Sequence, residues 1–312
     1  MKKGITKFGL SIIIVLIFVS VVDVIVGKTM DSMLPQISNQ GDTGKTYFSL
    51  NEVNTPVVIV GSSRAAHHYV SQMIEDSCDM QVYNVARDGC FFTYNYCVIN
   101  SILDRYRPKI IIWENDFNYL YQGVEDPLED LYPYYSKNKW ITGVINDECL
   151  WKERVRLSSN QYIYNSCVHR ILMRYFSRNS FVDGTQKGYL PLMPKARLQP
   201  LELTHENETP HQLCQKKMER FRATLIRASE NHVKLVIVDS PKYKICNPNN
   251  SSAKMMHKIC NECGALFLDN SQLPEILSHV EYFNDAAHMN DDGAKIYTNI
   301  FISQIKDFAK SE

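Results

Sequence analysis

Four consecutive apolar, β-branched residues lead directly into a pair of serines, and this junction constrains the fold more than any other feature of the chain. Val57–Val60 is followed by Gly61-Ser62-Ser63 and then by Ala65–Ile74, which has the composition of a helix. An apolar run without alternation is typical of a strand that is buried on both faces of a parallel sheet. The pattern therefore predicts a parallel strand that presents a serine at its carboxyl end.

The same order of strand and helix recurs along the chain, which favours the α/β class and a parallel sheet with right-handed crossovers. The further strands are predicted at Gln81–Val85, Lys109–Trp113, Val233–Val238 and Ala265–Leu268. The further helices are predicted at Thr93–Tyr106, Gln212–Asn231, Ser252–Asn261 and Ala294–Lys310.

Residues from about 117 to 209 interrupt this order and are rich in Tyr, Trp, Asn and Pro, with one helix predicted over Trp151–Arg178. We interpret them as an insertion over the carboxyl ends of the strands, where loops commonly determine substrate specificity. The aromatic side chains in it either stack on sugar rings or pack the insertion onto the core. They are Tyr132, Tyr134, Tyr135 and Trp140.

The first 28 residues have the pattern of a membrane anchor. Three lysines lie within Met1–Lys7, and Phe8–Val26 is almost wholly apolar and long enough to span a bilayer. The alternative is a cleaved signal peptide, but no small-x-small cleavage site follows the apolar run. The basic flank places the rest of the chain outside the cytoplasm. Residues 29–55 are polar and are interpreted as a stalk, which leaves residues 56–312 as the main domain with its insertion.

Charge and cysteine content exclude some classes of function. The formal net charge is +0 and no long basic run is present, so nothing favours a nucleic-acid partner. Nine cysteines include a lone CxxC, Cys260 and Cys263, which is weak support for a metal site. We expect buried thiols or a local disulfide, and neither a metal nor an organic cofactor.

A carboxylate and an imidazole lie three residues apart near the carboxyl terminus, as Asp285 and His288. A serine hydroxyl is a weak nucleophile until a positioned base removes its proton, and a carboxylate orients that base. These residues predict a site in which Ser63 is the nucleophile, His288 the base and Asp285 the orienting group. The alternative for Ser63 and for Ser62 is a helix cap, and for Asp285 and His288 a turn or surface role.

Four short blocks in the correct order resemble the SGNH/GDSL hydrolase superfamily. They are Gly61-Ser62-Ser63, Asn84 to Gly89, Trp113 to Asp116, and Asp285 to His288. The chain departs from the superfamily pattern at Ser62, where aspartate is usual, and at Trp113, where glycine is usual.

The resemblance implies a three-layer α/β/α sandwich with about five parallel strands, similar to flavodoxin. It assigns the nucleophile to Ser63, the base to His288 and its orienting carboxylate to Asp285. It nominates the amides of Ser63 and Gly89 and the side chain of Asn115 as the oxyanion hole. The alternative for Asn115 is a turn residue at the end of a strand. The Gly-Ser-Ser-Arg form resembles extracytoplasmic, membrane-anchored members that act on cell-envelope polymers.

The function implied is an esterase or an O-acyltransferase that handles O-acyl groups, above all O-acetyl groups, of carbohydrate through an acyl-serine. A membrane-bound acyltransferase is a candidate partner. A non-catalytic envelope protein of the same fold, which binds glycan or a membrane partner, is the alternative. Arg64 is expected to be solvated, with contact to an anionic substrate as the alternative. His67 and His68 are expected on a helix surface rather than as ligands of one metal ion, since adjacent helix residues point about 100° apart.

Overall fold

A computed structural model describes residues 2–124, 127–180, 184–194, 201–205 and 212–310. Five strands form one parallel sheet: β1 (Val57–Val60), β2 (Val82–Asn84), β3 (Ile110–Glu114), β4 (Lys234–Asp239) and β5 (Leu266–Asp269). Their spatial order is β2-β1-β3-β4-β5, the flavodoxin-like order of doubly wound sheets. The predicted fold class is confirmed. Thr204–His205 and Lys244–Ile245 form a separate short parallel pair.

Twelve α-helices are described, and their bounds are α1 (Lys2–Met33), α2 (Gly41–Asn51), α3 (Ser63–His68), α4 (Ser71–Cys78), α5 (Phe92–Arg105), α6 (Lys139–Glu148), α7 (Trp151–Arg156), α8 (Val168–Ser177), α9 (Gln215–Glu230), α10 (Ser251–Cys263), α11 (Pro274–Leu277) and α12 (Asp291–Lys310). Short 3₁₀ helices lie at Leu34–Ile37, Leu128–Tyr134, Tyr162–Tyr164, Arg178–Ser180 and Val280–Tyr282.

The period of two along the strands produces the layers. On one face of the sheet, Val57 and Ile59 pack in a core cluster with Tyr297 and Phe301 of α12. On the other face, Trp113 stacks on Phe92 of α5 with ring centroids 5.6 Å apart, and Phe221 of α9 lies 5.4 Å from the Trp113 ring. Because successive side chains of a strand point to opposite faces, Glu114 then points to the α3 and α12 side.

The chain divides into two compact units: Met1–Tyr47 with Leu128–Phe181, and Phe48–Pro127 with Val182–Glu312. The second contains the sheet. In the first unit, Leu34 and Ile37, within the segment interpreted as a stalk, are buried. Tyr132 and Tyr134 are buried as well, which favours the packing role over sugar stacking for these two tyrosines.

Two predicted helices are broken. The prediction of one helix over Ala65–Ile74 was wrong, because Tyr69 and Val70 are extended and the Val70 amide donates to the Thr298 hydroxyl. The prediction of one helix over Trp151–Arg178 was wrong as well. The helix ends there at Arg156, and the amides of Asn160 and Gln161 donate to the Asp23 carboxylate. Tertiary hydrogen bonds outweigh local helix preference in both places.

Candidate active site

Ser63 is the first residue of α3, immediately after the turn that follows β1. Gly61 in this turn cannot carry a side chain, since a Cβ there would lie 2.5 Å from Ala65 Cβ and 2.8 Å from Glu114 Cβ. Ser62 is at the N-cap position but makes no capping bond, and its hydroxyl accepts from the Tyr119 hydroxyl at 3.2 Å. The alternative in which the Ser62 side chain caps the helix is therefore wrong.

The three residues predicted as a catalytic set lie in one hydrogen-bonded chain. Ser63 Oγ is 2.7 Å from His288 Nε2, and His288 Nδ1 is 2.9 and 3.0 Å from the two carboxylate oxygens of Asp285. Since an ionised carboxylate only accepts, Nδ1 carries the proton and Nε2 is left to accept from the serine hydroxyl. This is the arrangement in which an imidazole removes the proton of a nucleophile.

Asp285 is held in its charged form by its own loop. Burial opposes ionisation, but hydrogen bonds from His288 and from the amides of Ala287 and His288 outweigh it and lower the pKa of Asp285 to about 2. The side chain of Asp285 is 56% exposed and that of His288 25% exposed. The His288 imidazole is thus within reach of solvent.

The loop that carries these two residues is fixed at both ends. Phe283 and Met289 form an antiparallel bridge, and the Asn284 amide donates to the His288 carbonyl at 2.8 Å. Asn290 caps α12 by accepting from the Gly293 amide at 3.0 Å, and its own amide group donates to the Glu281 carbonyl at 2.6 Å. The imidazole is therefore positioned by backbone contacts rather than by the triad alone.

The nominated oxyanion donors lie at the carboxyl ends of three neighbouring strands. Ser63 begins a helix, where backbone amides lack partners within the helix. Gly89 has φ +70° and follows Arg87, whose amide donates to the Gly61 carbonyl at 3.2 Å. Asn115 follows β3, which pairs with β1 in the register Val60 to Trp113.

Asn115 has an unusual side chain. It is 1% exposed, and among the described residues neither its amide nitrogen nor its oxygen has a hydrogen-bond partner. Its backbone amide donates to the Val238 carbonyl at 2.8 Å and fixes its position beside β4. A buried amide without a partner costs free energy, so its retention needs an explanation such as a ligand that it binds.

The expectation of a solvated Arg64 was wrong. Its guanidinium is buried and bonds to Asp239, lies 3.2 Å from Asp116 and 3.4 Å from Glu114, and donates to the Ser240 carbonyl at 2.8 Å. Three strand-end carboxylates therefore converge on one cation directly after the candidate nucleophile. Lys242 adds a second cation, 3.3 Å from Asp116.

Burial raises the pKa of Asp239 to about 7, although the Arg64 charge opposes this shift. Burial also raises the pKa of Glu114, and the Arg64 charge opposes that shift as well. Burial also acts on Asp116, but Lys242 and Arg64 outweigh it and lower the pKa of that carboxyl.

The expectation of helix-surface histidines was also wrong, because His67 and His68 are both buried. The Met289 amide donates to His68 Nε2 at 3.0 Å, so Nδ1 carries the proton and donates to Ser240 Oγ at 2.7 Å. Ser240 Oγ in turn donates to Glu114 at 2.8 Å. Burial and the Arg64 charge lower the pKa of His68, which keeps it neutral. His68 thereby holds the backbone next to His288.

His67 has a separate role on the same helix. Its Nδ1 donates to the Leu190 carbonyl at 2.7 Å, and its Nε2 lies 3.5 Å from Asp88. The His67 and His288 rings are 5.7 Å apart and nearly perpendicular. Within the described ranges, no group of three or more His, Cys, Asp or Glu side chains is arranged to hold a metal ion.

Sequence comparison with known proteins finds no matching family and no curated protein at a significant level of similarity. Solved structures do match. Esterase EstA from Pseudoalteromonas sp. is 11% identical, with 82% of this chain and 98% of that chain covered and a TM-score of 0.42. A protein from Bacteroides fragilis described as an acylhydrolase is 9% identical, with coverage of 86% and 98% and a TM-score of 0.41.

A variant of Axe2, an acetyl-xylooligosaccharide esterase from Geobacillus, is 9% identical, with coverage of 82% and 94% and a TM-score of 0.41. These overlaps are coarse. What this chain does is argued below from its own residues.

Proposed function

We propose that this chain is a serine-dependent ester hydrolase or acyl transferase of the SGNH type, acting on O-acyl groups, chiefly O-acetyl groups, of extracytoplasmic carbohydrate. The observation that carries the proposal is the hydrogen-bonded series from Ser63 Oγ through His288 to Asp285. Its polarity is fixed, because Asp285 is ionised and can only accept from His288 Nδ1. A serine that only forms a turn or a helix cap does not require a histidine and a carboxylate hydrogen-bonded in series to its hydroxyl.

In the proposed reaction, His288 Nε2 takes the Ser63 proton as Oγ attacks the ester carbonyl. The imidazolium that forms is stabilised by Asp285. The negative oxygen of the tetrahedral intermediate accepts from the Ser63 and Gly89 amides and from Asn115 Nδ2. Collapse breaks the ester bond, His288 returns its proton to the leaving alcohol, and the acyl group remains on Ser63. Water or a sugar hydroxyl then attacks the acyl-serine by the same steps in reverse.

The unpartnered Asn115 side chain supports the oxyanion role, since an oxyanion would supply the acceptor that its amide lacks. Arg64 and Lys242 bind the carboxylates of Glu114, Asp116 and Asp239, and these contacts fix the ends of β3 and β4. Residues that touch the reacting atoms are therefore distinct from residues that hold the strands in place.

We place the enzyme on the outer side of a membrane, held by α1. The candidate membrane span, Lys7–Ile37, covers most of α1 and the 3₁₀ helix that follows it. Its most apolar stretch has a mean hydropathy of 2.9 and no buried residue. The lysines that precede this stretch support a cytoplasmic amino terminus. Acylated carbohydrate is the proposed substrate and a membrane-bound acyltransferase the proposed partner.

The decisive experiment uses a fluorophosphonate, which reacts only with an activated serine. The full chain in detergent is treated with the probe, and the adduct is located by peptide mass spectrometry. We expect the adduct on Ser63 in the wild type, none in a His288→Ala variant, and retained labelling in Ser62→Ala. A folded wild-type chain that is not labelled would contradict the catalytic proposal and favour the glycan-binding alternative.

Acetylated glycan then separates hydrolysis from transfer. Release of free acetate without any acetyl group on an added oligosaccharide identifies an esterase. Appearance of the acetyl group on the oligosaccharide identifies a transferase. Both activities must disappear in Ser63→Ala.

A further inference from the structure

The outer end of α1 is fixed to the folded unit that contains it. The Asp23 carboxylate accepts from Ser159 Oγ at 2.5 Å, from the Asn160 amide at 2.8 Å and from the Gln161 amide at 3.0 Å. One turn later, Gly27 packs so closely on Asn160 that a Cβ at position 27 would overlap it. These contacts would be lost with a cleaved leader, so they support α1 as a retained anchor.

Asp23 also fixes the level of this loop relative to a bilayer. The apolar run Phe8–Val26 extends about 28 Å as a helix, close to the thickness of a hydrocarbon core. Asp23 is three residues, or about 4.5 Å, from the outer end of that run. Residues 159–161 therefore lie at the boundary between acyl chains and headgroups.

Helix α7 ends only three residues before this loop. The connection is compact, because the amides of Ser158 and Ser159 donate to the carbonyls of Val155 and Arg156 at 3.1 and 3.0 Å. The six residues of α7 extend about 9 Å, so the whole helix lies near the level of Asp23.

The exposed side chains of α7 and of the residue before it are of the kinds found at the boundary between acyl chains and headgroups. Leu150, Trp151 and Val155 are 76%, 63% and 60% exposed, and no residue of α7 is buried. Trp151 and Val155 are four apart and share a face, with Lys152 and Arg154 on either side of it. The acidic residue of the helix, Glu153, is engaged by the Tyr162 hydroxyl at 2.8 Å and by Arg156 at 3.1 Å.

We propose that Leu150, Trp151 and Val155 insert into the headgroup region of the bilayer that α1 spans, with Lys152 and Arg154 contacting anionic lipid phosphates. The surface goes beyond the proposed chemistry and rests only on the proposed anchor. Tryptophan favours the membrane interface, and apolar side chains flanked by basic ones are typical of helices that lie in it. The continuity of α7 with the loop bound to Asp23 identifies the bilayer as the occupant.

The test reconstitutes the full chain in vesicles of phosphatidylcholine and phosphatidylglycerol that carry a nitroxide near the top of the acyl chains. Tryptophan fluorescence is compared for wild type, Trp151→Phe and Trp140→Phe. Trp113 is fully buried and half-buried Trp140 is on α6, so we expect most of the lipid-dependent quenching to disappear in Trp151→Phe and to remain in Trp140→Phe.

Flotation of the vesicles reports on the anchor separately. A chain that does not float overturns the anchor and the docking together. A chain that floats, but whose Trp151 is quenched by aqueous acrylamide and not by the lipid nitroxide, overturns the docking alone. Neither outcome bears on labelling of Ser63.

The basic residues give a second measurement. A Lys152→Gln, Arg154→Gln variant should lose the increase in quenching that phosphatidylglycerol produces, while Lys258→Gln, which removes an exposed lysine of α10, should keep it. Equal dependence on phosphatidylglycerol in all three chains would contradict the role given to the anionic headgroups.

Discussion

The candidate catalytic set, Ser63, His288 and Asp285, and the polar network around Arg64 both contain charged and hydrogen-bonding side chains. The two sets lie in opposite environments. Asp285 is more than half exposed and reaches its partner within one short loop. Arg64, Glu114 and Asp239 are buried and come from three separate segments of the chain. Under the proposed function, the first set does chemistry at a solvated edge and the second holds that edge in shape.

The largest effect should come from removing the nucleophile or the base. Ser63→Ala and His288→Ala should each lower kcat by about 10⁶-fold, as for other triads, and Asp285→Asn by about 10⁴-fold. Stability should change little, because these groups are partly solvated. Hydrolysis of a nitrophenyl acetate ester and urea unfolding measure the two quantities. A Ser63→Ala chain that keeps its activity would remove the distinction between the two sets.

Arg64→Met should instead lower the stability of the fold strongly. Loss of the cation leaves buried carboxylates without compensation, and breaking such a pair costs about 3–5 kcal/mol of unfolding free energy. The matched control is Arg222→Met, which removes an exposed pair with Glu262 and should cost much less. Comparable urea midpoints for the two variants would mean that the buried network does not support the fold.

Asn115→Ala should separate chemistry from stability at a buried position. We expect kcat to fall by about 10²–10³-fold, equivalent to 2.7–4 kcal/mol of barrier, with little change in KM. The unfolding free energy should not fall as it does for other buried polar groups, since the Asn115 amide has no partner to lose. A large loss of stability with unchanged kcat would assign Asn115 to the supporting network instead.

His68→Leu should produce an intermediate result, because His68 joins the two sets. The Met289 amide and the Ser240 hydroxyl each lose their partner, which typically costs about 1–3 kcal/mol per buried group. The expected kinetic signature of a positioning residue is a lower kcat with unchanged KM, and a weaker response of fluorophosphonate labelling to pH. A variant that is less stable but has normal kcat would show that His68 supports only the fold.

The smallest effect concerns acid stability. The pKa of Asp285 is about 2 in the folded chain against an ordinary value of 3.8, so its ionisation stabilises the fold above pH 3.8. That contribution is lost as the pH falls through 3.8 towards about 2. The difference in unfolding free energy between wild type and Asp285→Asn should shrink over this window. A difference that stays constant across it would contradict the depressed pKa.

Much of the second unit could be predicted from sequence because its strands are continuous apolar runs. Each of the five sheet strands overlaps its predicted range, and β3, β4 and β5 each extend one residue beyond it. Ser63, Asp285 and His288 meet although Ser63 and His288 are 225 residues apart. The short sequence blocks around these residues contain the residue types that the proposed chemistry requires. The order of the blocks along the chain therefore helped to predict which residues would form the candidate site.

The buried network was missed since no local pattern distinguishes a buried arginine from a solvated one. Arg64 and His68 become buried only because carboxylates from β3 and β4 arrive at the same edge. One signal was available: Glu114, Asp116 and Asp239 all follow apolar strands, and carboxylates at adjoining strand ends need a cation. The break in the Trp151–Arg178 helix had a weak local signal in Ser158-Ser159-Asn160, since such clusters are typical of turns. Its tertiary partner, Asp23, lies more than a hundred residues earlier and could not be read from the local pattern.

The packing of α12 on α3 and α4 has a consequence for when the proposed site is complete. The segment that carries the serine emerges early in synthesis, whereas the histidine and the helix that backs it emerge near the end. In the proposed mechanism, Ser63 is an ordinary alcohol until the last segment docks. Activation would then coincide with the completion of folding, and proteolytic loss of the residues after about 283 would yield a chain that keeps its serine but lacks the proposed base.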